Sequence, residues 1–195
     1  MNIDGAPRSR RSFLLNSMAA FACVACGDRP ALGAATSAAA PKPAGTVTLE
    51  TFTEAGVSEG LVTVERVVKT DAEWRQQLSP ASFGVTRQAG TERPFSGPLD
   101  REKRAGLYRC ICCDTALFDA KTKYDSGTGW PSFWRAISDH NVAEREGERG
   151  GWRGQEIGCA RCAAHLGHVF SDGPRPTGLR YCMNSVALRF IPRGA

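Results

Sequence analysis

This sequence has no run of about 20 apolar residues, the length that a bilayer-spanning helix needs, so no transmembrane segment is expected. It also has no repeat of fixed period, which excludes solenoid and propeller architectures. Net charge is modest. Of the formal +5, Arg8, Arg10, Arg11 and Arg29 against Asp4 and Asp28 contribute +2 within the first forty residues, and the remaining +3 is scattered among acids. A nucleic-acid binder needs a basic stripe interleaved with exposed aromatics; the sequence lacks one, and no nucleic-acid partner is expected. Histidine is scarce, at three residues, so the places where histidines fall carry weight.

What the chain does have is cysteine, eight residues of it. Two of them, Cys23 and Cys26, lie in an N-terminal segment that reads as an address rather than as fold. Ser9-Arg10-Arg11-Ser12-Phe13-Leu14-Leu15 joins two arginines to an apolar start, and a weakly apolar run continues to Cys26. Small-residue cleavage options follow, at Ala31-Leu32-Gly33 and Thr36-Ser37-Ala38. This is the pattern of a twin-arginine export signal, so residues 1–40 are assigned to the signal and the start of a linker, cleavage is expected within about residues 31 to 40, and the mature chain is expected to be periplasmic or secreted. The alternatives are an Ala-rich tail on a cytoplasmic protein and a lipoprotein acylated at Cys23 or Cys26. The residues before each cysteine, Ala20-Phe21-Ala22 and Cys23-Val24-Ala25, fit a lipid-attachment box poorly. In an oxidising compartment the other six cysteines should form disulfides unless a metal or a catalytic role claims them.

The Ala/Pro/Gly/Ser content from Ala34 to about Thr46 marks a linker. Residues 41–59 are assigned to this linker and an N-terminal arm, and residues 60–195 to one folded domain. Thr70 with Glu73 three positions on is a capping box, Trp74 and Leu78 are apolar at i and i+4, and Ser79-Pro80 is the stop. One short helix is expected there. Beyond residue 100, Gly and Pro recur every several residues between short runs of β-formers such as Ser185-Val186-Ala187-Leu188-Arg189-Phe190. The expected fold class is mainly β, antiparallel and rich in loops, with a core small enough to need an internal staple.

Cys110-Ile111-Cys112-Cys113 and Cys159-Ala160-Arg161-Cys162 supply that staple. If Cys110 pairs with Cys113, they are two Cys-x-x-Cys knuckles, and four thiolates brought together make a closed tetrahedral zinc site. Two disulfides, or one knuckle acting as a thioredoxin-like redox pair, are the alternatives. A thioredoxin motif wants a strand before it and a long helix after, a context that neither knuckle has. One structural zinc ion on Cys110, Cys113, Cys159 and Cys162 is therefore expected, with Cys112 as a bystander thiol.

Cys182 lies outside both knuckles, in Arg180-Tyr181-Cys182-Met183-Asn184-Ser185. A lone cysteine with histidines close upstream suggests nucleophilic chemistry, and His165 and His168 stand seventeen and fourteen residues before it. Asp172 falls in the same stretch. For any one of these residues alone, a buried structural role would be the ordinary reading; their clustering argues for a site.

With these segments in place, the sequence resembles the methionine-R-sulfoxide reductases of type B over nearly all of residues 60–192. The resemblance is carried by Thr91-Glu92-Arg93-Pro94-Phe95-Ser96-Gly97, by Tyr124-Asp125-Ser126-Gly127-Thr128-Gly129-Trp130-Pro131-Ser132-Phe133, by His165-Leu166-Gly167-His168-Val169-Phe170 and by the Cys182 segment, with both knuckles in register between them. It implies two small antiparallel sheets with the zinc at one end and an active site at the sheet surface. It implies that Cys182 attacks the sulfoxide sulfur of methionine-R-sulfoxide, preferably in proteins or peptides, and is left as a sulfenic acid. By the same resemblance His165 and His168 hydrogen-bond and help protonate the oxygen, Asp172 orients a histidine, Asn184 positions the polar end of the site, and Trp130 is the apolar wall for the methyl group. Arg180 is expected to favour the Cys182 thiolate and to border the substrate. Phe133 and Phe170 are expected in the core.

The sequence departs from the family pattern at Thr128, where many members carry a cysteine that resolves the sulfenic acid as a disulfide. A thioredoxin-like or other external thiol reductant is the expected recycling partner; Cys112, or survival of Cys23 or Cys26 in the mature chain, would be the other routes. A monomer is expected. The rival from a different class is a zinc-stapled binding module on the same scaffold without catalysis.

Overall fold

The computed structural model describes residues 45–145 and 154–194. The export signal, its cleavage options and Cys23 and Cys26 lie outside the described residues. Among the described residues, no helix is long and apolar enough to cross a membrane.

The described chain opens on a hairpin, β1 (Thr46–Phe52) against β2 (Ser58–Glu65), in register from Thr46 opposite Glu65. From Thr46 onward the arm assigned to residues 41–59 is a paired strand and turn. The β-formers of Thr46-Val47-Thr48-Leu49-Glu50-Thr51-Phe52 carry that signal, and Leu49 is its buried anchor. The hairpin is tied down by the fully buried Asn141. Its Oδ1 accepts from the Glu50 amide at 2.9 Å, while its Nδ2 donates to the Glu50 and Ala116 carbonyls, each at 2.8 Å.

Two helices follow where one was expected. The Thr70–Glu73 capping box opens α1 (Asp71–Gln77) as read from the sequence, and Trp74 is buried beneath it. Ser79-Pro80 ends α1 and also starts α2 (Pro80–Gln88). The Ser79 hydroxyl accepts from the Ser82 amide at 3.1 Å, and Pro80 takes the first helical position, where its missing N–H costs nothing.

The rest of the chain forms two antiparallel sheets. The smaller contains β3 (Gly106–Cys110) and β4 (Ala116–Asp119) with the last strand of the chain, which six others separate from β4. The larger contains β5 (Lys123–Tyr124), β6 (Ser132–Phe133), β7 (Val142–Glu144), β8 (Gln155–Cys159), β9 (His165–Phe170) and β10 (Arg180–Met183). With β11 (Leu188–Pro192) the orders are β11-β3-β4 and β5-β6-β10-β9-β8-β7. Phe133 stacks on Phe118 at 4.4 Å between ring centroids and meets Tyr108 edge-on at 4.9 Å, while Tyr181 reaches Phe118 at 5.7 Å. This buried aromatic cluster joins the sheets, with Tyr108 and Phe118 from the smaller and Phe133 and Tyr181 from the larger. Phe133 is thus a core residue, as expected.

Candidate active site and metal centre

The alternation of a β-strand decides which residues of β10 are available for chemistry. Tyr181 and Met183 turn into the core, leaving Arg180 and Cys182 half-buried on the other face. Register then aligns one residue from each of four strands, because Cys182 is opposite Ser132 on one side and His168 on the other, and His168 is opposite Glu156. A bulge between Ile157 and Gly158 brings His165 alongside His168, with ring centroids 5.2 Å apart. Gly167 between them cannot carry a side chain, since a Cβ there would sit 2.1 Å from the Cys182 carbonyl oxygen.

His165 is held by Glu156, whose Oε1 lies 2.9 Å from Nδ1 and also accepts from Arg145 Nη1 at 3.0 Å. Burial works against the Glu156 charge, but the His165 hydrogen bond and the Arg145 guanidinium outweigh it and hold the carboxyl below its ordinary range. An ionised Glu156 makes Nδ1 the protonated nitrogen. His165 Nε2 is left buried with no hydrogen-bond partner among the described residues. The role expected of Asp172 is therefore filled by Glu156. Asp172 instead grips Arg180 with both oxygens, at 2.9 and 2.8 Å, and the Arg180 guanidinium lies 4.2 Å over the Phe170 ring. Phe170 is correspondingly half-buried at the site rather than in the core.

Cys182, His168, Gly167, Phe170, Trp130, Asn184 and Thr91 line one pocket of about 120 Å³. Its two sides are joined by Glu92. Trp130 Nε1 donates to the Glu92 carbonyl at 3.1 Å, and the Glu92 amide donates to Asn184 Oδ1 at 2.9 Å. The Glu92 carboxylate takes the amides of Ser185 and Val186, at 2.7 and 3.1 Å. Asn184 completes the brace by donating Nδ2 to the Leu166 carbonyl at 3.1 Å.

Burial pushes the Cys182 thiol up from its ordinary value of 9.0, against the pull of the nearby Arg180 charge. Burial therefore opposes the thiolate that Arg180 is expected to favour. Alkylation of Cys182 by iodoacetamide, followed by peptide mass, should therefore rise about tenfold per pH unit past pH 8; a plateau already reached at pH 7 would contradict this.

The metal centre sits where two strands end. Cys110 closes β3 and Cys159 closes β8, and each is followed by a turn with the same hydrogen bonds. Cys110 N donates to Thr115 O and Asp114 N to Cys110 O, just as Cys159 N donates to Ala164 O and Ala163 N to Cys159 O. Asp114 and Ala163 share the left-handed φ, 62° and 58°. These matched knuckles bring the four sulfurs within 4.8 Å of one another, with Cys110–Cys162 at 3.7 Å and Cys113–Cys159 at 3.5 Å. Four thiolates ~2.3 Å from a tetrahedral zinc would be about 3.8 Å apart, whereas the cysteines are not disulfide-bonded. The residues fit a structural zinc ion, and the site ties one sheet to the other. Arginines surround the second knuckle: Arg66, Arg87 and Arg145 donate to the carbonyls of Ala160, Cys162 and Ala163 at 2.7, 2.9 and 2.7 Å. They suit the net negative charge of a zinc–thiolate cluster. Arg145 also links this knuckle to Glu156 and so to His165. Cys112 is buried beside Cys110 and Cys162, against Thr86 and Arg87, while the neighbours of Cys182 are Thr128, Ser132 and Arg180. The two thiols do not share a site.

A SelR domain matches residues 78–192 of this chain. The chain belongs to the methionine sulfoxide reductase B family. It is 55% identical over 130 residues to the peptide methionine sulfoxide reductase MsrB of Pseudomonas putida (strain W619), a match covering 67% of this chain and 98% of that protein. It is 54% identical to the enzyme of the same name from Pseudomonas fluorescens (strain Pf0-1) and 53% identical to that from Pseudomonas syringae pv. syringae (strain B728a), each over 130 residues, 67% of this chain and 99% of the relative. In methionine sulfoxide reductase B terms, all four predicted zinc ligands converge, and Cys182, His168, Trp130 and Asn184 share one pocket. Sequence reasoning missed Glu92, Glu156 and Arg145. Glu92 was visible only as part of a motif. Glu156 becomes legible only once the β8–β9 register is known, because nothing in a nine-residue spacing pairs it with His165.

Proposed function

We propose that this oxidoreductase reduces methionine-R-sulfoxide in oxidised proteins, working outside the cytoplasm with Cys182 as its nucleophile. The observation that carries this reading is the strand register that sets Cys182 between Ser132 and His168 in a pocket walled by Trp130. The Cys182 sulfur attacks the sulfoxide sulfur, the S–O bond breaks, and methionine leaves as the thioether. Oxygen remains on Cys182 as a sulfenic acid, so the cysteine sulfur is oxidised by the two electrons that reduce the substrate. His165 and His168 accept the thiol proton and return one to the departing oxygen. Glu156 fixes the His165 ring, Trp130 receives the methyl group, and Arg180, steadied by Asp172, borders the substrate.

Thr128 stands where many relatives place a resolving cysteine, and Cys112 lies in the metal centre, so a small or protein thiol from outside recycles the enzyme. The chain acts as a monomer, with residues 60–195 as its catalytic domain and the first 40 as a twin-arginine export signal. Residues Ser9–Leu15 support that route, and replacing Arg10 and Arg11 together by lysine should retain the protein in the cytoplasmic fraction.

A single turnover without reductant tests the chemistry. One methionine per chain should form, with one oxygen added at Cys182; absence of methionine from zinc-loaded protein would refute the reading. Glu156→Gln should lower turnover about tenfold to a hundredfold, the usual cost of losing a carboxylate that orients a working histidine, with zinc content retained. Unchanged turnover would remove Glu156 from the mechanism.

A further inference from the structure

Three hydroxyls stand in a line behind the nucleophile. Thr128 Oγ1 is 3.8 Å from Cys182 Sγ, Ser126 Oγ is 2.8 Å from Thr128 Oγ1, and Ser132 Oγ is 2.7 Å from Ser126 Oγ. The line ends at the Trp130 carbonyl, which accepts from Ser132 at 3.2 Å. Each hydroxyl has one proton, and a carbonyl can only accept. With Ser132 donating to Trp130, Ser126 donates to Ser132 and Thr128 donates to Ser126. The Thr128 oxygen then faces the sulfur with lone pairs alone. The reverse order would take the Ser132 proton away from the Trp130 carbonyl.

We propose that this chain is a holding site for the oxidised nucleophile, in which Thr128 accepts the proton of the Cys182 sulfenic acid and keeps that group neutral until an external thiol arrives. The proposal rests on the reductase reading. In the resting enzyme the acceptor lies 3.8 Å from the sulfur, and after turnover rotation about the Cys182 Cβ–Sγ bond carries the S–O–H group from the histidines round to it. Loss of that proton would give the sulfenate, the electron-rich form that a peroxide carries on to the irreversible sulfinic acid. The protonated acid is also the form that recycles. A thiol attacks the sulfur, an S–S bond forms, the S–O bond breaks, and the hydroxyl leaves as water with the thiol's proton. A second thiol then releases the Cys182 thiol and a disulfide. A chain with a resolving cysteine nearby has no such wait, whereas this one must survive a diffusional encounter.

The test uses the full zinc-loaded chain as wild type, Thr128→Val, Thr128→Ser and Ser126→Ala. Sulfenic acid is formed by one turnover of methionine sulfoxide without reductant and, in parallel, by one equivalent of hydrogen peroxide, which does not depend on the variants' turnover. Excess peroxide is then added, and the gain of a second oxygen at Cys182 is followed by mass. Thr128→Val should reach the sulfinic acid about fivefold faster than wild type, the equilibrium worth of one ordinary hydrogen bond. Ser126→Ala should move in the same direction, and Thr128→Ser should restore the wild-type rate. Equal rates in wild type, Thr128→Val and Ser126→Ala would overturn the holding site while leaving the reductase reading intact, provided wild type had yielded one methionine. No methionine from wild type would overturn both.

Discussion

Cys182→Ser should lower methionine formation by at least about a thousandfold and change little else. A serine hydroxyl is a far weaker nucleophile than a thiol and has no accessible oxidised state that could hold the oxygen. The fold has little reason to respond. Cys182 contributes only its backbone to the ladder with Ser132 and His168, while the core side of β10 belongs to Tyr181 and Met183, which the substitution leaves untouched. Measured on matched, zinc-loaded proteins, the variant should keep the wild-type melting temperature within a few degrees. Substantial residual turnover would move the nucleophile elsewhere, with the metal-centre thiols as the remaining candidates among the described residues.

Cys159→Ser should show the reverse pattern, in which stability falls first and activity follows it. Structural zinc supplies on the order of 10 kcal/mol of folding free energy in small zinc domains, comparable with the ~5–15 kcal/mol net stability of a domain. Here the site does more than close a loop, because Cys110 ends a strand of one sheet and Cys159 ends a strand of the other. Loss of one ligand, even if it forfeits only about half of that energy, should lower the melting temperature by on the order of 10–20 °C and release zinc to a chromogenic chelator. The parallel experiment on wild type with a strong chelator should give the same destabilised species. A Cys159→Ser protein with wild-type melting and full zinc content would exclude this four-sulfur site.

The parts of the molecule written in short range were legible in the sequence. Thr70 and Glu73 announced α1, the Cys-x-x-Cys spacings announced both knuckles, and the sequence neighbourhood of Cys182 announced a pocket that it shares with His168, Trp130 and Asn184. The parts that depend on register were not. Glu156 reaches His165 only because β8 and β9 pair with a bulge, and Asp172, nearer in sequence to the histidines' strand end, is drawn to Arg180 instead. Ser79-Pro80 illustrates a different ambiguity, since a proline that stops one helix is equally suited to begin the next. The balance at the Cys182 thiol is hidden from the sequence for an energetic reason. Arg180 does stand close enough to favour the thiolate, but burial opposes the charge more strongly.

Reduction of one epimer of methionine sulfoxide by this chain can be followed directly. The most direct measurement supplies the purified, zinc-loaded chain with dithiothreitol and a dabsylated methionine sulfoxide, and separates the R and S epimers by chromatography over time. The R epimer alone should disappear, with equimolar formation of the methionine derivative. Loss of the S epimer at a comparable rate, or persistence of both in the presence of folded, zinc-loaded protein, would contradict the account; the second result would leave a zinc-stapled binding module as the better description.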